Sequence, residues 1–149
     1  MKRAWLVVPG LLAFALAAVA LAQDKAIVLR PENLHWTEVR DMPGWKQAVL
    51  VGDPAKPGPY VLRVMIPPNA LMPPHSHPDT ENITVLAGAF GIGEGSTVDK
   101  IGGTVLGVGG FYVLPAHTVH YAWGGPKGAT LQIHGVGPSG TTMAGPAKK

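Results

Sequence analysis

The apolar positions of the chain fall into short segments of five to seven residues, separated by Gly, Pro, Asn and Asp. After the first 22 residues, no stretch sustains the spacing of three and four that marks an amphipathic helix. The pattern instead predicts eight strands, at residues 47–52, 60–66, 82–88, 89–93, 104–108, 110–114, 119–123 and 129–134. Many short strands at close spacing are typical of an all-β barrel or sandwich.

The segments around these strands suggest how the chain is organised. GDPAKPGP, PPNALMPP and GGPKG are turns or loops by composition. We expect four parts: a signal peptide at residues 1–22, an N-terminal arm at 23–46, a barrel at 47–140 and a flexible tail at 141–149. The arm is expected to pack Trp36 and Trp45 against the barrel.

The N-terminal sequence predicts export. A basic pair at residues 2–3 precedes an apolar run at 5–18, and the small residues at 20–22 form a cleavage motif. We therefore expect cleavage after Ala22 and a periplasmic or secreted protein. A retained membrane anchor is the alternative, but a proline and a glycine interrupt the run, which falls short of about 20 apolar residues.

Composition narrows the possible partners. Cleavage would remove two of the 12 basic residues and leave 10 Lys and Arg against 9 Asp and Glu. A nearly neutral domain without a basic run gives no reason to expect nucleic acid or an anionic membrane as a partner. Cysteine is absent, so disulfides and a lipid anchor on cysteine are excluded. The remaining chain suffices for one domain with one core.

Two histidines and a glutamate lie close together in HSHPDTE, between two predicted strands. In extended backbone His75 and His77 point to the same side with Cα atoms about 6.5 Å apart, so both imidazoles can reach one ion. The turn that follows swings Glu81 back toward them. Such a set leaves coordination positions open, as in non-haem iron sites. Taken alone, a motif of this kind in a polar loop is more often a solvated surface feature than a metal site.

A second cluster lies in GGFYVLPAHTVHYAW, at the turn between two predicted strands. Together the two clusters resemble the paired motifs of the cupins. The first motif is matched by His75, His77, Glu81 and Gly88, and the second by Gly109, Pro115 and His120. The segments VGDPAKPGPYVLR and LQIHGVGP further resemble a group of small exported bacterial cupins.

The resemblance implies a double-stranded β-helix, or jelly-roll barrel, and one divalent metal ion, which would be Fe, Mn, Zn, Ni or Cu. Its ligands would be His75, His77, Glu81 and His120, and the residue pattern by itself selects the same four. Asn69 and His117 stand where the pattern has glycines. Because histidine can adopt positive φ with modest strain, we expect the turn at His117 to survive.

Three polar residues outside the ligand set have alternative roles. His117 could be an acid or base in the cavity, a fifth ligand or a solvated residue at the rim. His134 shares a strand face with Gln132 and Thr130, so it could line the cavity as a catalytic residue or serve a structural role. Arg63 could clamp a substrate carboxylate or lie exposed on the sheet.

These residues support two functional hypotheses. The first is a mononuclear divalent-metal enzyme that acts on a small oxygen-bearing substrate, as a dioxygenase or as an isomerase that stabilises an enediolate. The second is a non-catalytic periplasmic module that binds a metal or a small metabolite. A proton-transfer group beside the metal would favour the enzyme. The cupin resemblance also makes a homodimer through strand edges plausible.

The export hypothesis predicts the mass of the mature protein. Because cleavage after Ala22 removes the whole apolar run, intact mass spectrometry of the exported protein should find a chain that begins at Gln23. A full-length, membrane-retained species would contradict cleavage and support the anchor.

Overall fold

The computed structural model describes residues 25–145, and within this range the chain is almost entirely β. A 3₁₀ helix at Pro31–Asn33 precedes nine strands: β1 Thr37–Glu38, β2 Lys46–Val51, β3 Gly58–Ile66, β4 Leu71–Ser76, β5 Glu81–Glu94, β6 Thr104–Leu106, β7 Phe111–Leu114, β8 His120–Gly137 and β9 Thr142–Met143. The all-β expectation is confirmed. Over the same residues, no helix has the length and apolarity needed to cross a membrane. The predicted signal peptide and residues 146–149 lie outside the described range.

Every strand pairing is antiparallel, in the order β1-β2-β3-β8-β4-β9, with β5 paired to β6, β7 and β8. Two long strands, β5 and β8, hold the structure together. The first part of β8 pairs with β4 and its later part with β3, while β5 runs beside β8 from Asn82 to Glu94. The sheet thus curls around one core as a jelly-roll barrel.

The segments 82–88 and 89–93 were predicted as separate strands, but they form the single strand β5, and β8 likewise joins 119–123 to 129–134. The strands continue because of two glycines at the point where β5 pairs with β8. Gly88 and Gly128 adopt φ +71° and +75°, and a Cβ on Gly88 would collide with the carbonyl of Gly128. Glycine therefore permits a bulge, and the strands bend without ending.

Besides the two-residue β1 in the predicted arm, two strands fall in segments where none was predicted. β4 occupies part of the proline-rich segment read as a loop, and its register shifts between Met72 and His75, which accommodates two prolines that cannot donate a hydrogen bond. β9 lies in the predicted tail, where Thr142 and Met143 pair with Ser76 and His75. A two-residue strand leaves no periodicity to detect.

The core consists of the inward side chains of the long strands and of Trp45, which is 8% exposed. Ile83 and Val85 on β5 face it, as do Leu131 and Ile133 on β8. Trp36 is only partly buried. The apolar lining continues up to the histidine-bearing end of the barrel, where the strands leave a cavity.

Candidate metal centre

Strand pairing brings the two histidine clusters together. His75, near the end of β4, is the direct partner of His120, the first residue of β8. His77 follows β4, and Glu81 opens β5 after a short turn. The four residues predicted as metal ligands therefore lie at one end of the barrel and line one cavity.

The three histidines are close enough to share an ion. The ring centroids of His75 and His120 are 4.0 Å apart, and those of His77 lie 4.9 Å from His75 and 5.2 Å from His120. One ligand atom from each ring lies within 4.8 Å of the others, so the three side chains could hold a metal ion. The carboxylate Oε2 of Glu81 lies 3.9 Å from Nε2 of His77.

Each imidazole is oriented by a backbone carbonyl. The Nδ1 atoms of His75, His77 and His120 lie 2.7, 2.8 and 3.0 Å from the carbonyl oxygens of Pro73, Gly140 and Thr118. A carbonyl only accepts, so each Nδ1 carries the hydrogen and Nε2 remains free to bind a metal. Outer hydrogen bonds of this kind fix the tautomer and ring orientation of metal-binding histidines.

Burial keeps these rings in the protonation state that binds metals. It lowers the pKa of His75 from 6.5 to about 4, with a further contribution from the neighbouring His120. Burial also lowers the pKa of His120. Both imidazoles are therefore neutral at physiological pH, as coordination requires.

The acidic member of the site is in the opposite situation. Burial raises the pKa of Glu81, and the nearby Asp79 adds to this effect, while His77 and the hydroxyl of Tyr60 oppose it. A divalent cation would supply the positive charge that this buried carboxylate lacks. Three imidazoles beside a carboxylate match the donor preferences of zinc, iron and similar ions, so the residues fit the metal that the motifs imply.

The cavity below the histidines is apolar. Its volume is about 460 Å³, and its walls include Trp45, Leu62, Ile83, Phe90, Ile92 and Ile133. Apart from the three histidines and Glu81, the polar side chains among the described lining residues are few: Gln47, Asp53, Ser139 and Thr141. No Lys or Arg is among the described residues that line it, so an anionic substrate would find no counter-charge from the protein.

His117 lies outside this cavity. Its side chain is exposed and lines a separate outer cleft, and its backbone N–H donates to the carbonyl of His77 at 2.7 Å. The residue adopts φ +63°, and Asn69 adopts φ +57°. Both residues that replace glycines of the cupin pattern thus take the left-handed conformation, and the turn at His117 survives as expected.

His134 also faces outward, so of its two alternative placements the structure does not show the one in the barrel cavity. On β8 the apolar Leu131 and Ile133 occupy the inner face. Side chains alternate between the two faces of a strand, so His134 lies on the outer face together with Gln132. Its Nε2 lies 3.0 Å from Nε2 of Gln132, whose Oε1 accepts a hydrogen bond from Arg63. A catalytic role for His117 or His134 stays a prediction, and Arg63 does not line the cavity.

Sequence reasoning missed two residues behind the ligands. The hydroxyl of Tyr60 donates to Oδ2 of Asp79 at 2.7 Å, and both side chains are buried. Among the described residues, Oδ1 of Asp79 has no hydrogen-bond partner. An acidic residue two positions before Glu81 was the available signal for Asp79, but its tyrosine partner lies on another strand and is not apparent from spacing.

The comparisons with known proteins agree with this fold. The chain is a cupin: the family model for the ChrR cupin-like domain matches residues 24–135, about three quarters of the chain. Within the cupins, it therefore belongs to the family of ChrR cupin-like domains. No curated protein matches the sequence.

Solved structures with the same fold come from several bacteria. KdgF from a Halomonas species has a TM-score of 0.59 and 20% identity, over 77% of this chain and 96% of its own. The polyketide cyclase RemF from Streptomyces resistomycificus has a TM-score of 0.65 and 18% identity, over 81% and 88%. The DMSP lyase DddQ from Ruegeria pomeroyi has a TM-score of 0.61 and 16% identity, over 78% and 64%. At these identities the likeness establishes the double-stranded β-helix fold alone.

The depressed pKa of His75 predicts how the metal-free protein responds to acid. Between pH 6.5, the ordinary pKa, and about pH 4, the unfolded chain binds a proton at this residue that the folded chain does not. The free energy of unfolding should therefore fall as the pH is lowered through this window, by up to about 1.4 kcal/mol per pH unit for one group. Urea denaturation in the presence of a chelator measures it.

A His75→Asn variant provides the control. It removes the titrating group and should show a shallower dependence on pH than the natural chain over the same window, while His120 continues to contribute. Identical slopes for the two proteins would contradict the depressed pKa of His75.

Proposed function

We propose that the protein is a mononuclear divalent-metal enzyme that acts on a small, largely apolar, oxygen-bearing substrate. The observation that carries this proposal is the position of three clustered imidazoles at the head of an apolar cavity of about 460 Å³. That volume lies within the range of small-molecule sites, and a few polar groups above apolar walls are typical of them. When bound, the metal would supply Lewis acidity or the ability to activate O₂.

In this proposal His75, His77 and His120 hold the ion, and Glu81 is the fourth ligand. Glu81 is buried and its carboxylate lies 3.9 Å from His77, so a small movement of the side chain would bring it into the coordination sphere. The backbone carbonyls keep the three rings oriented before metal arrives. Such preorganisation reduces the entropic cost of binding.

The cavity walls define the class of substrate. The carbon skeleton would pack against side chains such as Phe90, Ile92 and Ile133, and its oxygen atoms would face the histidines. Because the described lining contains no Lys or Arg, the walls favour a neutral molecule over a carboxylate. One structural relative is a polyketide cyclase, which is consistent with a barrel of this shape accommodating an oxygen-bearing carbon skeleton.

The titratable groups favour an oxidative reaction over an isomerisation. An isomerase that forms an enediolate needs a base to move a proton. Apart from the proposed ligands, the only titratable side chain among the described lining residues is Asp53, which is exposed. A dioxygenase can draw its reactivity from the metal and O₂, so we favour the dioxygenase type.

The same scarcity of bases supports a second candidate, a non-catalytic cupin that binds a metal or a neutral metabolite without turnover. Both candidates would act in the periplasm or outside the cell, and this location rests on the N-terminal sequence. They differ in whether the bound molecule is consumed.

The ligand assignment predicts different results for two histidines three residues apart. His120→Ala removes one of the clustered imidazoles and should abolish most metal binding, together with the increase in melting temperature that added metal produces. His117→Ala alters an exposed side chain in the outer cleft and should retain most of the metal. Elemental analysis of both proteins after reconstitution with Fe²⁺, Mn²⁺, Ni²⁺ or Zn²⁺ measures the difference.

Chelator-treated samples of the two variants serve as folding controls, since both should show the far-ultraviolet circular dichroism of a β protein. Equal metal loss in the two variants, or full metal content in His120→Ala, would refute the assignment.

The substrate proposal predicts that the iron-loaded protein binds and consumes neutral 1,3-diketones, phenols or hydroxyketones. Oxygen-uptake measurements should show that O₂ is consumed as mass spectrometry shows loss of the compound. Ala122→Leu narrows the cavity and should weaken binding while the metal is kept, whereas Ala87→Leu, at an exposed position on β5, should have no effect.

The outcomes separate the two candidates. Saturable binding without consumption would replace the enzyme with the binding module. If no compound of the panel binds, or if Ala122→Leu and Ala87→Leu behave alike, the cavity is not the substrate site.

A further inference from the structure

A segment near the C-terminal end of the described chain crosses beside the histidine cluster. We call residues 139–144 the C-terminal strap. We propose that the strap is a positioning element for His77: the carbonyl of Gly140 holds this ring in its Nδ1–H tautomer and so directs Nε2 to the metal. The inference deepens the proposed function, because it assumes that His77 is a ligand.

The strap is fixed on both sides of Gly140. Before it, the backbone N–H of Ser139 donates to the carbonyl of Pro54 at 2.7 Å. After it, Thr142 pairs with Ser76 in β9, and the N–H of Ala144 donates to the carbonyl of Pro74 at 2.9 Å. The Gly140 carbonyl is thereby held 2.8 Å from Nδ1 of His77.

His77 differs from the other two histidines in where its carbonyl comes from. The partners of His75 and His120 lie two residues before them, at Pro73 and Thr118, so each of these rings is oriented by its own local backbone. Gly140 is 63 residues away from His77 in the chain. Displacement of the strap should therefore change the tautomer of one histidine and leave the other two unchanged.

The same segment also borders the cavity. Ser139, Gly140 and Thr141 line it, and the latter two are exposed. A molecule that enters beside them would contact the strap and the ring that the strap orients. Access to the cavity and the geometry of His77 consequently depend on one short segment.

Proline substitutions can release the strap without altering the histidines. In an antiparallel ladder every second residue pair is hydrogen-bonded. Because the N–H of Ala144 donates to the carbonyl of Pro74, the N–H of Thr142, two residues earlier, is the other donor from β9 to β4. A Thr142→Pro, Ala144→Pro protein loses both donors. The matched control, Thr142→Ala, Ala144→Gly, changes the same two positions and keeps both N–H groups.

The tautomer is read by ¹⁵N NMR of the histidine side chains in metal-free protein at about pH 8, above the ordinary imidazole pKa of about 6.5. In the proline protein, His77 should change from the Nδ1–H form to a mixture of tautomers, while His75 and His120 keep the Nδ1–H form. Affinity for Zn²⁺ should fall about 10- to 100-fold, the loss typical of an outer-shell contact. The control should match the natural chain in both measurements.

Two results would overturn the proposal. In the first, hydrogen exchange shows that the pairing of β9 is lost, yet His77 keeps its Nδ1–H form. In the second, the tautomer of His77 changes but the affinity for Zn²⁺ does not. If the proline protein does not fold, a chain ending at Pro138 is compared with one ending at Gly145, and the same two criteria apply. Because the tautomer is measured without metal, a natural chain that binds no divalent ion would refute the metal centre separately.

Discussion

The pairing of β4 with β8 is the contact on which the site depends, because it sets His75 directly opposite His120. These residues are separated by more than forty positions in the chain, and their rings lie 4.0 Å apart. The remaining members are placed relative to this pair: His77 continues from β4, and Glu81 begins β5, which runs beside β8. A slip of one residue in the β4–β8 register would move both paired rings out of alignment.

Without a bound cation, this cluster of buried titratable groups lowers the free energy of unfolding. Three imidazoles crowd together in a largely buried site, and Glu81 and Asp79 are buried beside them. One oxygen of Asp79 has no hydrogen-bond partner within residues 25–145. Burial disfavours the charged forms of two histidines and of the glutamate: it lowers the pKa of His75 and of His120 and raises that of Glu81. A bound cation would favour the ionised form of the carboxylate, and coordination requires neutral imidazoles. Metal binding and the stability of this end of the barrel should therefore be coupled.

Alternation of apolar positions was enough to predict most of the strands and the all-β class, and motif spacing was enough to select the histidines that the fold brings together. The alternation pattern failed where backbone geometry decides whether a strand ends or continues. Gly88 and Gly128 turn an apparent break into a bulge, and β4 tolerates prolines through a register shift. The face of His134 stayed open, because alternation identifies two faces and only the competition for burial decides which one is inward. The Gly140 carbonyl carries no side-chain signal at all.

The separation of faces also limits what chemistry the barrel can perform. Arg63, Gln132 and His134, the polar residues that appear most functional on the central strands, form a hydrogen-bonded row outside the cavity. Inside, polar groups are confined to the histidine end and to a few lining residues such as Gln47 and Ser139. In the proposed enzyme, reactivity would therefore come from the histidine end, and the apolar walls would select a substrate by shape. With so few polar groups available, small changes in the orientation of a single ring, such as His77 under the strap, would have a large effect on the site.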